Sequence, residues 1–124
     1  MRRRLMMMQN MVVNLFDKNS QDIIYHGRLD NAGLIITGDE YGSRTFVSHY
    51  IRVIPLETYV LVREVINDYN SAYNRWHFYR NDKSLISMNG STSKETTIKT
   101  PENCYYIRFN GLITDIDNVK FYKA

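Results

Sequence analysis

The sequence predicts an all-β domain: a two-sheet antiparallel sandwich of jelly-roll type, preceded by a short N-terminal helix or arm. Three observations predict it. Apolar residues fall in short, often alternating runs, broken by turn residues about every ten positions. The runs are rich in Val, Ile, Thr, Tyr and Phe, which suit a pleated, half-buried surface. No strand–helix–strand alternation occurs, which argues against a parallel sheet. With 124 residues there is room for one domain around one core. Residues 14–124 read as the sandwich and residues 1–13 as the arm.

The arm places Leu5, Met6, Met7, Met8, Met11, Val12 and Val13 close together. Such side chains are unfavourable in water, so the segment is expected to pack against a neighbouring subunit of a homo-oligomer; a frayed tail is the competing expectation. Arg2, Arg3 and Arg4 before apolar residues imitate a signal peptide. However, Gln9, Asn10 and Asn14 interrupt the apolar stretch, and no small-x-small site follows. No run of 18 apolar residues exists, so no membrane span is expected.

Asn14-Leu15-Phe16 opens the domain and Asp17-Lys18-Asn19-Ser20 turns it. Ile23–Tyr25 and Leu34–Thr37 read as strands, with turns at Asp30–Gly33 and Gly38-Asp39. Arg44–Ile54 reads as one long strand. Phe46, Tyr50 and Ile54 lie on one face, and Val47, Ile51 and Val53 on the other. Both faces are apolar, so this strand is either covered on both sides or offers one face to a ligand. Pro55 stops it. Thr58–Ile66 is the next strand, too β-branched to favour a helix. Residues 67–74 read as an exposed polar loop. Trp76 and Phe78 share a face of the following strand, Asn81–Lys83 turns, and Leu85–Ser87 returns. Residues 89–95 form a loop, Thr96–Lys99 a strand, and Tyr105–Phe109 another. Gly111–Thr114 turns into a closing strand, Ile116–Tyr122.

Charge and composition exclude several classes of function. The formal net charge is +3, and the arginines at positions 2–4 account for all of it. The sandwich therefore has no basic stripe for nucleic acid. Cys104 is the single cysteine, so neither a disulfide nor a cysteine zinc cluster can form; it reads as a buried strand residue. His26, His49 and His77 lack metal-ligand spacing and read as half-exposed. Asp115 and Asp117, read as alternating on a strand, and Asp39 with Glu40, in a loop, give no convincing acid/base pair. Ser43, Ser48 and Ser84 lack a nucleophile elbow. The chain is expected not to be an enzyme.

Four segments, taken in order, resemble carbohydrate-binding-module-like sandwiches found in bacteriophage tail and baseplate proteins. They are Ser48–Leu61 (strand, proline, turn, Thr-Tyr, strand), Trp76–Ile86 (aromatic strand and Asp-Lys turn), Thr100–Phe109 (a TPxxAxYIRF-like strand) and Asp115–Val119. Arg80 stands where that pattern often has Asp, and Cys104 where it often has Ala. The resemblance implies a non-catalytic tail or baseplate accessory domain. It would be made in the bacterial host cytoplasm, reside in the virion, and contact host cell-wall polysaccharide and other tail proteins. A structural virion protein that binds no glycan is the alternative. Sugar recognition needs flat rings with planar polar groups beside them. Tyr41, Tyr69, Asn70, Tyr73, Arg75 and Trp76 are the candidates the sequence offers. For Trp76 a place in the core is the stronger expectation; for Tyr69 and Tyr73 the two readings balance. The resemblance also implies a structural calcium near the first and last strands. Asp17 and Asp117 match it loosely, two donors where calcium takes six to eight.

Overall fold

The structure, a computed structural model, describes residues 13–39, 42–65 and 74–124. These residues form β1 (Ile24–Tyr25), β2 (Gly27–Leu29), β3 (Ile35–Thr37), β4 (Thr45–Val47), β5 (Ile51–Arg52), β6 (Thr58–Val62), β7 (Arg75–Tyr79), β8 (Leu85–Gly90), β9 (Glu95–Lys99), β10 (Tyr106–Leu112) and β11 (Lys120–Lys123). A large sheet runs β1-β4-β10-β7-β8, with β5 also paired to β10. A second sheet runs β11-β6-β9, and β2-β3 is a separate hairpin. The strand pairings are antiparallel. The all-β class expected from the alternating runs is what the chain adopts.

Alternation explains how the two sheets close. Phe46, Ile51, Trp76, Phe78, Ile107 and Phe109 of the large sheet meet Tyr59, Leu61, Ile98 and Phe121 of the small one in a single core. Phe16 joins them, packed 5.6 Å from Phe46 and 5.5 Å from Phe109 between ring centroids. Tyr59 stacks on Phe121 at 5.2 Å. Such ring pairs contribute beyond the area they bury. The opening segment is tied in by Asn14, whose side-chain oxygen accepts the Phe121 amide at 2.9 Å while its nitrogen donates to the Val119 carbonyl at 3.0 Å. Residues 1–12 of the expected arm lie outside the described residues.

The expected single strand over residues 44–54 is two strands. Val47 lies opposite Asn110, but Ile51 lies opposite Ile107, so the register against β10 moves by one residue. That is the geometry of a β-bulge. Ser48 sits at the shift. Its amide donates to the Phe109 carbonyl at 2.9 Å and its hydroxyl accepts the Phe109 amide at 3.0 Å, so a side chain replaces a ladder carbonyl. A one-residue slip exchanges the faces of a strand. Phe46, Ile51 and Val53 therefore share the core, whereas simple alternation put Phe46 opposite the other two. Ile54 is left 53% exposed.

Three other boundaries differ from expectation. β6 ends at Val62, because Arg63 turns its guanidinium inward and the Glu64 amide donates to Asp115 Oδ2 at 2.8 Å. β8 continues through Gly90, paired with Arg75, where a loop from residue 89 is expected. Residues Ile113–Asn118 are 3-10 helix rather than turn and strand, and Asp115 is buried in it.

β10 also crosses the core closely. A Cβ added to Gly111 would meet the Phe46 ring at 2.6 Å. Phe46 has no room to retreat, since it is fully buried. Gly111→Ala is expected to cost about 2–3 kcal/mol by overpacking. Urea unfolding followed by emission of Trp76, the single tryptophan, checks this.

Candidate functional site

The large sheet's outer face is built from the other side chains of the same strands. Val47, His77 and Asn110 lie there, all buried. The β2-β3 hairpin covers them. Asn110 Oδ1 accepts the Leu29 amide at 2.8 Å, its Nδ2 donates to the Leu29 carbonyl at 3.3 Å, and His77 Nε2 donates to the Asp30 carbonyl at 2.7 Å. Thr45 Oγ1 adds a bond to the Gly27 carbonyl at 2.6 Å. The hairpin covers one half of this face. The other half carries tyrosines and cations.

A repeated triplet makes that open half. Tyr50-Ile51-Arg52 and Tyr106-Ile107-Arg108 run antiparallel, with Tyr106 opposite Arg52 and Ile107 opposite Ile51. Both isoleucines enter the core. Each tyrosine then meets the other triplet's arginine. The Arg108 guanidinium carbon lies 4.2 Å from the Tyr50 ring centroid, and that of Arg52 lies 5.2 Å from the Tyr106 centroid. Arg52 also donates to the Tyr106 hydroxyl at 3.0 Å and lies 5.3 Å from the Tyr105 ring. Lys83 Nζ stands 5.0 Å from Tyr50 and 5.5 Å from Tyr106. The turn that presents Lys83 puts it at φ 67°, held where Asp82 accepts the Ser84 amide at 3.0 Å. Rings and cations alternate across the patch at cation–π distances.

Tyr79 lies beneath, edge-on to Tyr50 at 5.0 Å. Burial pushes its phenol up to about 12, so it stays neutral. Tyr50, Tyr105 and Tyr106 remain partly open to solvent. Beside Arg52 and Tyr105, a groove of about 430 Å³ is lined by apolar surface of Val53, Ile54, Pro55 and Tyr59. The arrangement offers flat rings, forked donors and an apolar groove, the components that grip a sugar's C–H faces and hydroxyls.

The candidates read from the sequence are distributed differently. Tyr41, Tyr69, Asn70 and Tyr73 lie outside the described residues. Arg75 lines a separate cleft of about 550 Å³ with Met88, Asn89, Gly90, Ser91 and Thr92, on the opposite edge of β7 from β10. Trp76 is 4% exposed and packed in the core, so its ring has no free face for stacking; this corrects its inclusion among the ligand-binding candidates. The two aspartates of the calcium expectation make other contacts. Asp17 accepts the Asn19 amide at 3.0 Å, and Asp117 pairs with Lys18 at 3.0 Å. Those residues supply two carboxylates, where calcium takes six to eight oxygens. Among the described residues no three His, Cys, Asp or Glu side chains cluster as metal ligands. Cys104 is buried as expected, and its thiol donates to the Tyr106 carbonyl at 3.3 Å.

No family model, curated protein or solved structure matches the chain. The site is therefore read from its own geometry. Sequence reasoning missed Tyr50, Arg52, Lys83, Tyr106 and Arg108 as one group, although the repeated Tyr-Ile-Arg triplet was the available signal. No helix among the described residues is long and apolar enough to cross a membrane.

Two histidines near this face set an acid limit. His77 is fully buried rather than half-exposed, and His49 Nε2 accepts the Asp17 amide at 2.9 Å. Burial holds both below the usual histidine value. The unfolded chain thus takes up protons first as pH falls, so stability is complete above about pH 6.5 and declines below it. The melting temperature is expected to be flat from pH 8 to 7 and to fall towards pH 5. Each histidine adds a slope of at most about 1.4 kcal/mol per pH unit. His77→Gln should flatten the decline.

Proposed function

We propose that the chain is a non-catalytic binding domain for host cell-surface carbohydrate, a jelly-roll-like accessory domain of a bacteriophage tail or baseplate. The observation that carries this reading is the pair of crossed Tyr-Ile-Arg triplets. Together with Lys83 they leave two tyrosine rings, Tyr50 and Tyr106, partly open and two cations, Arg52 and Lys83, exposed on a sheet face that the β2-β3 hairpin otherwise closes. A single shallow site of this kind binds weakly, and several copies on one particle would convert weak contacts into firm adhesion.

Co-sedimentation with purified cell walls of Gram-positive bacteria tests the proposal. Wild-type protein is expected to be retained. The double variant Arg52→Ala/Tyr106→Ala should lose at least about tenfold of that retention, by removal of a ring and its cation. Its melting temperature should stay close to wild type. No retention of the wild type, or equal retention of a folded variant, would reject the reading.

A structural virion role is favoured by one separate observation. Ile54 and Leu56, 53% and 59% exposed, flank Pro55 beside the apolar groove. Exposed apolar groups of this kind suit packing against another tail protein.

A further inference from the structure

We infer that the ligand group held between the two triplets is an oxyanion, a phosphate or a carboxylate of an acidic glycan, rather than a neutral sugar. The polymer named here rests on the carbohydrate reading above; the charge of the group does not. Arg108 and Lys83 both stand against the Tyr50 ring, and Arg52 and Lys83 both against Tyr106. Three like charges thus share two rings, and an anion between them would relieve the repulsion that the rings offset only in part. Arg108 is only 5% exposed, so water screens its charge poorly.

The ion pairs Lys18–Asp117, Arg28–Asp39, Lys94–Glu64 and Lys123–Glu57 involve none of the patch's three cations. Asp82, next to Lys83, stays charged but turns back onto its own loop, accepting the amide and the hydroxyl of Ser84 at 3.0 and 2.6 Å beside Arg80. Arginine's planar fork matches the oxygens of phosphate and carboxylate, and lysine adds a point charge. The rings alongside hold the sugar to which the oxyanion is attached.

Amide chemical-shift titration of the full chain separates the possibilities. The probes are inorganic phosphate, sodium glucuronate and methyl glucoside, each compared with sodium chloride at equal ionic strength. Saturable shifts at residues 50–52, 82–84 and 105–108 are expected with phosphate or glucuronate, and none with the glucoside. The stronger of the two anions identifies phosphate or uronate as the natural group. Arg52→Gln/Lys83→Gln, both exposed positions, should weaken the response about tenfold. Shifts no larger than those of sodium chloride, or unchanged by the double variant, would overturn the inference. Wall retention that survives loss of the anion response overturns the oxyanion alone. Anion binding without wall retention overturns the carbohydrate reading and leaves the oxyanion site standing.

Discussion

Arg63→Met is expected to destabilise the domain by about 3–5 kcal/mol and to lower its melting temperature by more than about 10 °C. Arg63 follows β6 and is 3% exposed. Its guanidinium donates to the main-chain carbonyls of Asn74 and Asn110, and to that of Arg75 at 3.3 Å. It also lies 5.7 Å from the Phe109 ring. One side chain of the small sheet thereby satisfies carbonyls at the start of β7 and in β10 of the large sheet. Burial pulls its pKa down to about 9, so it remains charged at neutral pH. Methionine fills the space but strips the guanidinium donors from those buried carbonyls, that of Asn74 keeping only a long 3.4 Å bond from the Ser91 amide, and this is the expensive half of a lost hydrogen bond. Arg63→Lys keeps the charge and loses the fork, so it should recover less than half of the loss. Thermal unfolding followed at Trp76 measures both. A methionine variant within 1 kcal/mol of wild type would contradict this role (about the value of an ordinary hydrogen bond).

The second large effect is at Asn110. Its side chain imitates a neighbouring strand, taking the amide and supplying the donor for the carbonyl of Leu29. Both Asn110 and Leu29 are fully buried. Asn110→Leu, close in volume, removes both bonds and leaves two main-chain groups unsatisfied, at a cost of about 2–4 kcal/mol. Because Leu29 belongs to β2, the hairpin should loosen before the sandwich does. Hydrogen exchange of the β2 and β3 amides is expected to accelerate more than that of β7 and β10. Uniform acceleration across all strands would show that the hairpin and sandwich unfold as one unit.

How far the sequence was readable follows from which interactions are local. The two-layer closure was legible because Trp76, Phe78, Ile107 and Phe109 obey strict alternation. The Asp82-centred turn also gave a true boundary, whereas β5 ends at Arg52, before the stop expected at Pro55. The bulge at Ser48 was not legible, since a hydroxyl replacing a ladder carbonyl leaves no periodic trace. It put Phe46 and Ile51 on one face, and so hid the fact that Tyr50 and Arg52 face outwards beside Tyr106. The 3-10 turn holding Asp115 was missed for a similar reason: its partner, the Glu64 amide, is distant in sequence. Trp76 was placed correctly by the expectation of a buried lone tryptophan, and misplaced by the expectation of a ring for sugar.

The central claim is that the crossed Tyr-Ile-Arg triplets are the surface that meets the ligand. Hydrogen–deuterium exchange of the protein bound to purified Gram-positive cell walls, compared with the free protein, tests it most directly. Protection should concentrate at residues 50–52, 80–84 and 105–106. Protection confined to the outer face of the small sheet, around Val60, Val62 and Tyr122, would contradict it.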